Sequence, residues 1–267
     1  MKSSLVASSL AVAALCTATT AKAADVWAGL DIKTAYTATG ATCNDGMVAQ
    51  PCVDIYGLKV GDLELPLTLE FWGNIDLEKY DGDEVSKAGR FQEVDLAAYL
   101  NLGGYIDENL TLDVGYVEYD YPRHDWETDH LIHVKAKYKV ALGDNLGAVT
   151  PCVQAKYRFA GDSKGKCEMA AELAYGVTLA KDVVSDGWDL GFGLSADIWY
   201  VSCDGMDRDE EGNKPDSGFA CSYLTAKLSL AHFYVGYQHI FQIDDDVLSD
   251  EAYDVEDIGI FGIDYDF

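Results

Sequence analysis

Apolar and polar side chains alternate with a period of two in many runs between about residue 26 and the last residue of the chain. In the run that begins at Trp188, seven apolar side chains alternate with a second set that contains Asp189 and Asp197. Successive side chains of a strand point to opposite faces, so each run predicts a β-strand with one apolar and one polar face. We expect about twelve strands, near residues 26–37, 52–60, 65–75, 90–102, 110–121, 129–142, 148–159, 167–181, 188–202, 218–230, 232–242 and 254–267.

The connections between these strands are alternately long and short. Short turns at one end and longer loops at the other are typical of a membrane β-barrel, and strands of about 9 to 14 residues suffice for a tilted crossing. The pattern predicts an all-β fold, a transmembrane antiparallel β-barrel of about twelve strands in an up-and-down meander. We expect long connections near residues 38–51, 76–89, 122–128, 160–166, 203–217 and 243–252, and short ones near 61–64, 103–109, 143–147, 182–187 and Ala231.

A soluble β-sandwich is the alternative fold, since its strands would also alternate. A sandwich has no reason to sort its connections by side, however, and its strands do not need to cross a bilayer. In the cleanest runs the apolar set carries no charged side chain until Glu118 and Asp120 near one end. A Lys or Arg that faces lipid at mid-bilayer costs about 2–4 kcal/mol, so this distribution favours the barrel.

The N-terminal segment predicts export. Residues 1–23 resemble a signal peptide, with Lys2 before a short apolar stretch and Ala21-Lys22-Ala23 as a cleavage site. The apolar stretch is too short to span a bilayer as a helix. We therefore expect residues 24–267 to form one exported barrel domain.

The last strand ends on an aromatic side chain. Tyr265 and Phe267, with Gly262 before them, form a pattern that resembles the last-strand signal of the bacterial barrel-assembly machinery. We therefore expect the protein in the bacterial outer membrane, with that machinery and the outer-membrane lipids as partners.

The chain is strongly acidic. After loss of Lys2 and Lys22 with the signal, 17 Lys and Arg face 46 Asp and Glu, a formal charge of −29. Such a surface repels nucleic acid, so we exclude that class of partner. The acidic stretches 244–257 and 204–211 could supply oxygen ligands for Ca²⁺, although neither has the spacing of an EF-hand. Solvated loops are the simplest interpretation, so we expect no cofactor and assign no metal ligand.

Six cysteines follow the signal peptide, in an exported and therefore oxidising setting. The spacing predicts two disulfides, Cys43 with Cys52 and Cys203 with Cys221. Cys152 and Cys167 remain by exclusion. Near opposite ends of adjacent strands, they would be separated by more than the roughly 7 Å that a disulfide tolerates, so their pairing stays open.

With the polar face of each strand inward, the lumen is charged. Basic side chains concentrate on the sixth and seventh strands, and acidic side chains come from the others. Opposed basic and acidic walls would orient and filter small polar solutes, whereas a fully paired network would only make the barrel rigid. The residues expected to line the pore are Lys135, Lys137, Lys139, Lys156, Arg158, His133, Glu70, Trp72, Asp95, Asp113 and Asp197.

Hairpin register decides which of these charges meet. Like charges that stay adjacent need water or solute to screen them, which favours transport. The inward aromatic residues Trp72, Trp199 and Tyr99 could stack sugar rings or simply fill space. The expected neighbours are Lys137 with Asp113, Arg158 with Glu168, Lys135 with Lys156, and His133 with Arg158.

Several motifs resemble the TorF-like group of small outer-membrane porins over most of the mature chain. In that group a Tyr-x-x-Arg-Gly turn is common after the first strand, whereas here Tyr36 is followed by an inserted cysteine loop. The resemblance implies an outer-membrane barrel that passes solutes, without catalytic residues. The motifs are Gln50-Pro51, Trp72-Gly73-Asn74, Glu93-x-Asp95 and Gly115-Tyr116-x-x-Tyr119-x-Tyr121-Pro122.

The function expected from these observations is a porin that passes small polar or charged solutes by passive diffusion. The alternative is a structural or adhesive barrel whose acidic loops bind a partner or divalent cations. An enzyme would need a Ser with a His on the lipid-facing wall, or paired carboxylates with a His at the rim. His124-Asp125 and Asp129-His130 approach the second pattern, but acids are common throughout the chain, so we expect no enzyme and no catalytic residue.

Overall fold

The structure is a computed structural model that describes residues 24–60, 62–80, 86–143, 145–206 and 216–267. The predicted signal peptide, residues 1–23, lies outside the described residues.

Twelve antiparallel strands form a closed barrel, which confirms the predicted fold. Each strand pairs with its neighbours in sequence, and the last strand pairs with the first. The sheet is therefore a closed up-and-down meander. In chain order the strands are β1 (Asp25–Lys33), β2 (Val48–Tyr56), β3 (Leu67–Asp76), β4 (Arg90–Asn101), β5 (Leu110–Asp120), β6 (Asp129–Tyr138), β7 (Gly147–Ala160), β8 (Cys167–Ala180), β9 (Leu190–Ser202), β10 (Gly218–Leu230), β11 (Phe233–Gln242) and β12 (Asp257–Asp266).

Small elements decorate this barrel. The short strand Val140–Gly143 follows β6 and pairs with β7, so it extends that side of the sheet. Among the described residues, no helix is long and apolar enough to span a membrane. The other elements are the hairpin Tyr36–Ala38 with Ala41–Asn44, the hairpin Lys59–Val60 with Leu63–Glu64, and a 3-10 turn at Gly103–Tyr105.

The connections lie at two ends of the barrel, which we name the turn end, where both termini lie, and the loop end opposite. The predicted sorting by length holds only in part, because 57–66 contains its own hairpin and is longer than 161–166. Connections at the loop end are 34–47, 77–89, 121–128, 161–166, 203–217 and 243–256, and those at the turn end are 57–66, 102–109, 139–146, 181–189 and 231–232.

The first loop-end connection differs most from the sequence prediction. The strand predicted over 26–37 ends at Lys33, and the next begins at Val48 instead of residue 52. The residues between them form a hairpin, residues 36–44, which we call the inner hairpin. Its turn places Thr39 and Gly40 at positive φ (51° and 87°), the pairing that a tight two-residue hairpin requires.

The inner hairpin folds into the barrel. The amide of Gly40 donates a hydrogen bond of 2.6 Å to the Tyr223 hydroxyl on β10. A Cβ atom at Gly40 would lie 2.6 Å from Leu248 and 2.9 Å from Cys221, so only glycine fits there. These residues belong to a buried apolar cluster of the loop end, which also contains Ile258 on β12. The apolar core of this molecule therefore lies inside the barrel, at its loop end.

The outer surface is apolar and exposed. Val153 on β7 and Leu173 on β8 are 59 % and 56 % exposed and point outward, whereas their inward neighbours are covered or line the lumen. Exposure of large apolar side chains in water would be costly, at about 25 cal/mol per Å². The surface is thus suited to an apolar surrounding, as the period-two pattern predicts.

Val153→Arg should destabilise the protein strongly in lipid vesicles. Val153 faces outward near the middle of β7, and burial of an arginine at the bilayer midplane costs about 2–4 kcal/mol. Thr150→Arg on the same strand, which faces a cavity in the lumen, should cost less than about 1 kcal/mol. Equilibrium urea unfolding in vesicles measures both. Equal losses for the two variants would show that the outward face is not in contact with lipid.

Candidate functional site

The lumen is the candidate functional site, and strand register determines which side chains face it. Residues paired across two strands share one face of the sheet. The inward face can therefore be followed from Trp72 to Asp95 on β4 and on to Tyr119 on β5. In the same way Asp113 pairs with Asn101 and Lys135. The same parity places the strand residues predicted to line the pore on this inward side, and Lys139, after β6, borders a cavity in the lumen; that these residues line a solute path stays a prediction.

A network of four charged residues, three of them buried, stabilises the loop end. Arg158 Nε lies 3.2 Å from the Asp129 carboxylate, and its Nη1 lies 2.8 Å from Glu168. Lys166 reaches the other oxygen of Glu168 at 3.0 Å. Glu168 lies near Arg158 as predicted. Removal of one member of such a buried group leaves an uncompensated charge, so the network holds β6, β7 and β8 together.

The inner hairpin is held from several walls. The Tyr36 hydroxyl donates to Glu93 on β4 at 2.5 Å, and the Tyr36 ring packs against Trp72 on β3 with ring centroids 5.7 Å apart. Thr39 Oγ1 donates to Glu168 on β8 at 3.0 Å. With the bond from Gly40 to β10, these contacts carry the hairpin across the lumen.

A chain of buried amides supports the same hairpin. Gln50 Nε2 donates to Asn74 at 3.0 Å, Asn74 Nδ2 donates to Gln92 at 2.9 Å, and Gln92 Nε2 donates to the Cys43 carbonyl at 2.7 Å. Each amide comes from the loop end of β2, β3 or β4. The sequence pattern does not predict this ladder of amides. Three inward amides on consecutive strands could have indicated it. The last bond of the ladder goes to the inner hairpin, however, and the sequence pattern does not indicate where that hairpin lies.

The lysine wall is different, because its charges lack ion-pair partners. Lys135, Lys137, Lys139 and Lys156 point inward from β6, β7 and the residue after β6, and none forms an ion pair with a carboxylate of the described residues. The Lys156 ammonium instead lies 5.5 Å from the Tyr119 ring centroid and 5.8 Å from that of Trp199. These four cations need water or a solute around them.

The acidic residues come mainly from other strands. Glu70 and Asp95 lie on β3 and β4, and Asp113 on β5 accepts a hydrogen bond of 2.8 Å from Asn101. Asp197 on β9 accepts the Tyr223 amide at 3.2 Å. Basic and acidic side chains thus occupy different sectors of the lumen, which produces an electric field across it.

His133 sits between two neutral groups. Its Nδ1 lies 3.0 Å from the Tyr99 hydroxyl and its Nε2 lies 3.0 Å from Gln154 Oε1. Both ring nitrogens are therefore occupied. His133 braces β4, β6 and β7 at mid-lumen.

Three predicted neighbour pairs are wrong. The structure pairs Asp113 with Lys135 instead of Lys137, so that hairpin is shifted by two residues. A bulge between His130 and Leu131 shifts the register of β6 against β7. His130 pairs with Ala160, but the next residue, Leu131, pairs with Arg158, so one residue of β7 is left without a partner. The observed pairs are His133 with Lys156, Lys135 with Gln154 and Leu131 with Arg158.

The predicted disulfides are not formed. None of the six cysteines Cys43, Cys52, Cys152, Cys167, Cys203 and Cys221 is bonded to another.

The positions of Cys43 and Cys52 explain why the first predicted disulfide does not form. Cys52 points into the lumen opposite Trp72, four residues along β2 from Val48, whereas Cys43 lies in the inner hairpin near the loop end. At about 3.3 Å per residue this is a large offset for a bond that tolerates roughly 7 Å. Burial, and next the charge of Glu93, raises the pKa of the Cys43 thiol to about 12, which suppresses the reactive thiolate. Cys203 and Cys221 lie in the same apolar cluster, but no disulfide joins them.

The acidic loops contain one close group of carboxylates. Ligand oxygens of Asp244, Asp245 and Asp246 lie within 4.8 Å of one another, and Asp244 Oδ1 accepts the Asp246 amide at 3.1 Å. Residues 207–211 of the other acidic stretch lie outside the described residues. Calcium binding by these loops stays a prediction.

One of the two rim histidine pairs considered for an enzyme, Asp129 with His130, is separated. Asp129 points inward to Arg158, whereas His130 points outward, where its Nδ1 lies 3.5 Å from Glu118 and 2.6 Å from the Tyr116 hydroxyl. The two members of the predicted Asp129–His130 pair thus face opposite sides of the wall and serve different contacts.

A cavity of about 980 Å³ fills the turn half of the lumen. It is bounded by β1 and by β7 to β12, with Lys139 at its edge. The loop half is narrowed by the inner hairpin, whereas this cavity opens toward the turn end.

Comparison with known proteins gives structural likenesses only. No family model and no curated protein matches the chain. Among solved structures, the KdgM porin is 8 % identical, with 91 % of this chain and 99 % of that chain covered and a TM-score of 0.47. An outer membrane channel from Pseudomonas putida F1 is 15 % identical, with 91 % and 96 % covered and a TM-score of 0.48. The NanC porin is 8 % identical, with 91 % of this chain and 99 % of that chain covered and a TM-score of 0.45. At these values the likeness assigns the chain to no family, and membership of the TorF-like group stays a prediction.

Arg158→Gln should lower the free energy of unfolding by about 3–5 kcal/mol, because it leaves Asp129 and Glu168 buried without their shared cation. Lys156→Gln is the matched control on the same strand. It removes a cation that forms no ion pair with the described residues and that lies over the Tyr119 ring, so it should cost about 1 kcal/mol or less. Urea unfolding in vesicles measures both variants, and a larger loss for Lys156→Gln would contradict the assigned roles.

Proposed function

We propose that this chain is a porin of the bacterial outer membrane that passes small polar or charged solutes by passive diffusion. The observation that carries the proposal is the wall of four lysines, Lys135, Lys137, Lys139 and Lys156, which has no ion pairs among the described residues. The chain has 46 Asp and Glu, so carboxylates are abundant. A lumen that served only to hold the barrel together would pair these cations, as it pairs Arg158.

Unpaired ammonium groups imply water. An isolated charge in a dry interior is strongly disfavoured, and in practice it is neutralised or hydrated. The cavity of about 980 Å³ borders this wall at Lys139 and supplies space for water at that end. A hydrated lumen with opposed basic and acidic sectors is the arrangement by which pores orient and select charged solutes.

The exposed apolar outer surface supports the membrane location. In barrels of this class the short turns and both termini lie on the periplasmic side, and the longer loops lie outside the cell. With that orientation the inner hairpin narrows the external half and the large cavity opens to the periplasm. Outer-membrane lipids would cover outward side chains such as Val153 and Leu173.

The inner hairpin leaves one wall for the solute path. It contacts β3, β4, β8 and β10 through Trp72, Glu93, Glu168 and Tyr223, and it packs on the apolar cluster of β10 to β12. The wall formed by β5 to β7 carries Lys135 and the other lysines. We therefore place the path between the hairpin and this wall.

A structural or adhesive barrel is the second candidate. It is favoured by the apolar cluster that packs the inner hairpin against β10 to β12 and the 243–256 loop, where Thr42 accepts the amides of Asp254 and Val255 at 3.1 Å each. Such packing would suit a closed barrel that presents acidic loops to a partner. The two candidates differ in conductance.

Tyr265 and Phe267 are proposed to be read by the barrel-assembly machinery. Both side chains point outward at the turn end of β12, and the Phe267 amide donates to the Val26 carbonyl at 2.8 Å. The strand that carries this signal is thus also the strand that closes the barrel against β1.

Purified protein in planar bilayers should give discrete conductance steps.

Lys135→Glu combined with Lys137→Glu should shift selectivity toward cations by about tenfold or more, because the lumen charge sets the local ion concentration. Reversal potentials in a KCl gradient measure the shift. Lys59→Glu with Lys181→Glu is the matched control, since it makes the same charge change in exposed turn-end connections.

A silent bilayer for the folded wild-type protein would contradict the porin and favour the structural barrel. Equal shifts in the lumen variant and the control variant would remove the lysine wall from the path.

Phe267→Ala should reduce the folded fraction in bacterial outer membranes several-fold, while refolding into vesicles in vitro stays close to that of the wild type. Phe233→Ala, at another outward aromatic position near the turn end, is the control. Heat-dependent gel mobility separates folded from unfolded chains. If both variants lose the same folded fraction in cells, the effect belongs to lipid contact and not to recognition.

A further inference from the structure

The cavity in the turn half of the lumen has two unlike walls. One is built by β1, β11 and β12 and carries the aromatic residues Trp27 and Tyr234. The facing wall, on β8 and β9, carries glycines that leave its backbone open to the cavity. These glycines are Gly176, Gly191 and Gly193.

The two aromatic rings lie close against their wall because glycines are beneath them. A Cβ atom at Gly29 would lie 2.7 Å from the Trp27 indole, so the ring rests directly on the strand. The Tyr234 ring covers Gly262 of the neighbouring strand in the same way. Both side chains therefore lie along the wall, and both line the cavity.

Polar groups border these rings. Asp264 pairs with Gly29 across β1 and β12 and lines the same cavity as Trp27, and its carboxylate has no side-chain hydrogen bond or ion pair among the described residues. Asp31 accepts the Tyr234 hydroxyl. Lys227 places its ammonium 4.7 Å from the Tyr234 ring centroid.

A space-filling role does not explain why the Trp27 and Tyr234 rings lie along the wall. A side chain that served only to fill the lumen would project into it, but these two lie along the wall and leave a cavity of about 980 Å³. Hydroxyl groups complete the lining on other strands, from Thr150, Thr178 and Ser229. The cavity thus combines a flat apolar face with acceptors and hydroxyls at its border, which is the usual composition of a small-molecule site.

We propose that this cavity is a saccharide-binding subsite in which Trp27 is the stacking platform and Asp264 accepts ring hydroxyls. A sugar ring has an apolar face and a border of hydroxyl groups, and it matches an amphipathic aromatic next to free acceptors. An organic cation would also suit aromatic rings and carboxylates, but Lys139 and Lys227 border the same space and repel it. A simple inorganic anion would make no use of the indole face.

The proposal deepens the proposed function, since it names the class of solute and rests on passage through the lumen for its biological role. Binding itself requires only the folded barrel. The subsite and the porin function can therefore be contradicted independently of each other.

Isothermal titration of the refolded full-length chain in detergent micelles with maltotriose tests the subsite. Saturable binding with a Kd on the order of 1 mM is expected. Trp27→Ala should weaken it by about tenfold or more, Trp27→Phe by less, and Asp264→Asn should also weaken it. Trp126→Ala is the control, because Trp126 is exposed in a loop-end connection and stacks on His124.

Absence of saturable heat with the folded wild-type chain would overturn the subsite, as would unchanged affinity in both Trp27→Ala and Asp264→Asn. Saturable binding of choline without binding of maltotriose would replace it with a site for organic cations. Maltotriose binding by a chain that is silent in planar bilayers would support the subsite while it contradicts the porin. Conductance without maltotriose binding would overturn the subsite alone.

Discussion

Pairing of β12 with β1 is the constraint on which the rest of the structure depends. Seven residue pairs from Trp27–Asp266 to Lys33–Ile260 join the last strand to the first and leave no sheet edge between them. In lipid an unpaired backbone amide costs several kcal/mol, because no water is present to bond it, so a sheet that crosses a bilayer has to close. Closure also separates the two faces of every strand, one outward and apolar, the other inward and charged.

The inward face divides into two halves with different roles. At the loop end, Arg158 is paired with Asp129 and Glu168, and the inner hairpin packs on an apolar cluster. This half resembles the interior of a soluble protein. Toward the turn end the lysines are unpaired, the wall is rich in glycine and a large cavity remains. The protein therefore combines a packed loop half with an open turn half that contains the cavity.

The positions of the strands could be predicted from the sequence because a barrel strand is determined by local alternation. All twelve strands lie close to their predicted places, and the even count puts both termini at one end. The inward side of the eleven predicted lumen residues follows from the same parity, which needs no knowledge of neighbouring strands. Parity is a property of one strand.

Contacts between strands were harder to predict, since they depend on register. The bulge at His130 and Leu131 changes which charges meet, and no local pattern marks it. The inner hairpin is a second example. Its sequence around Thr39 and Gly40 indicates a tight turn, but its insertion into the lumen depends on distant residues such as Glu168 and Tyr223. The expected disulfides failed for the same reason, because spacing along the chain does not show how far Cys43 lies from Cys52 in space.

Amide hydrogen exchange of the folded protein in lipid vesicles tests the central claim most directly. If β12 closes the barrel against β1, amides of residues 28–32 and 260–264 should exchange as slowly as those in the middle of β9 and β10. Fast exchange along both β1 and β12, with protection of the other strands, would indicate an open sheet and contradict the closed membrane barrel.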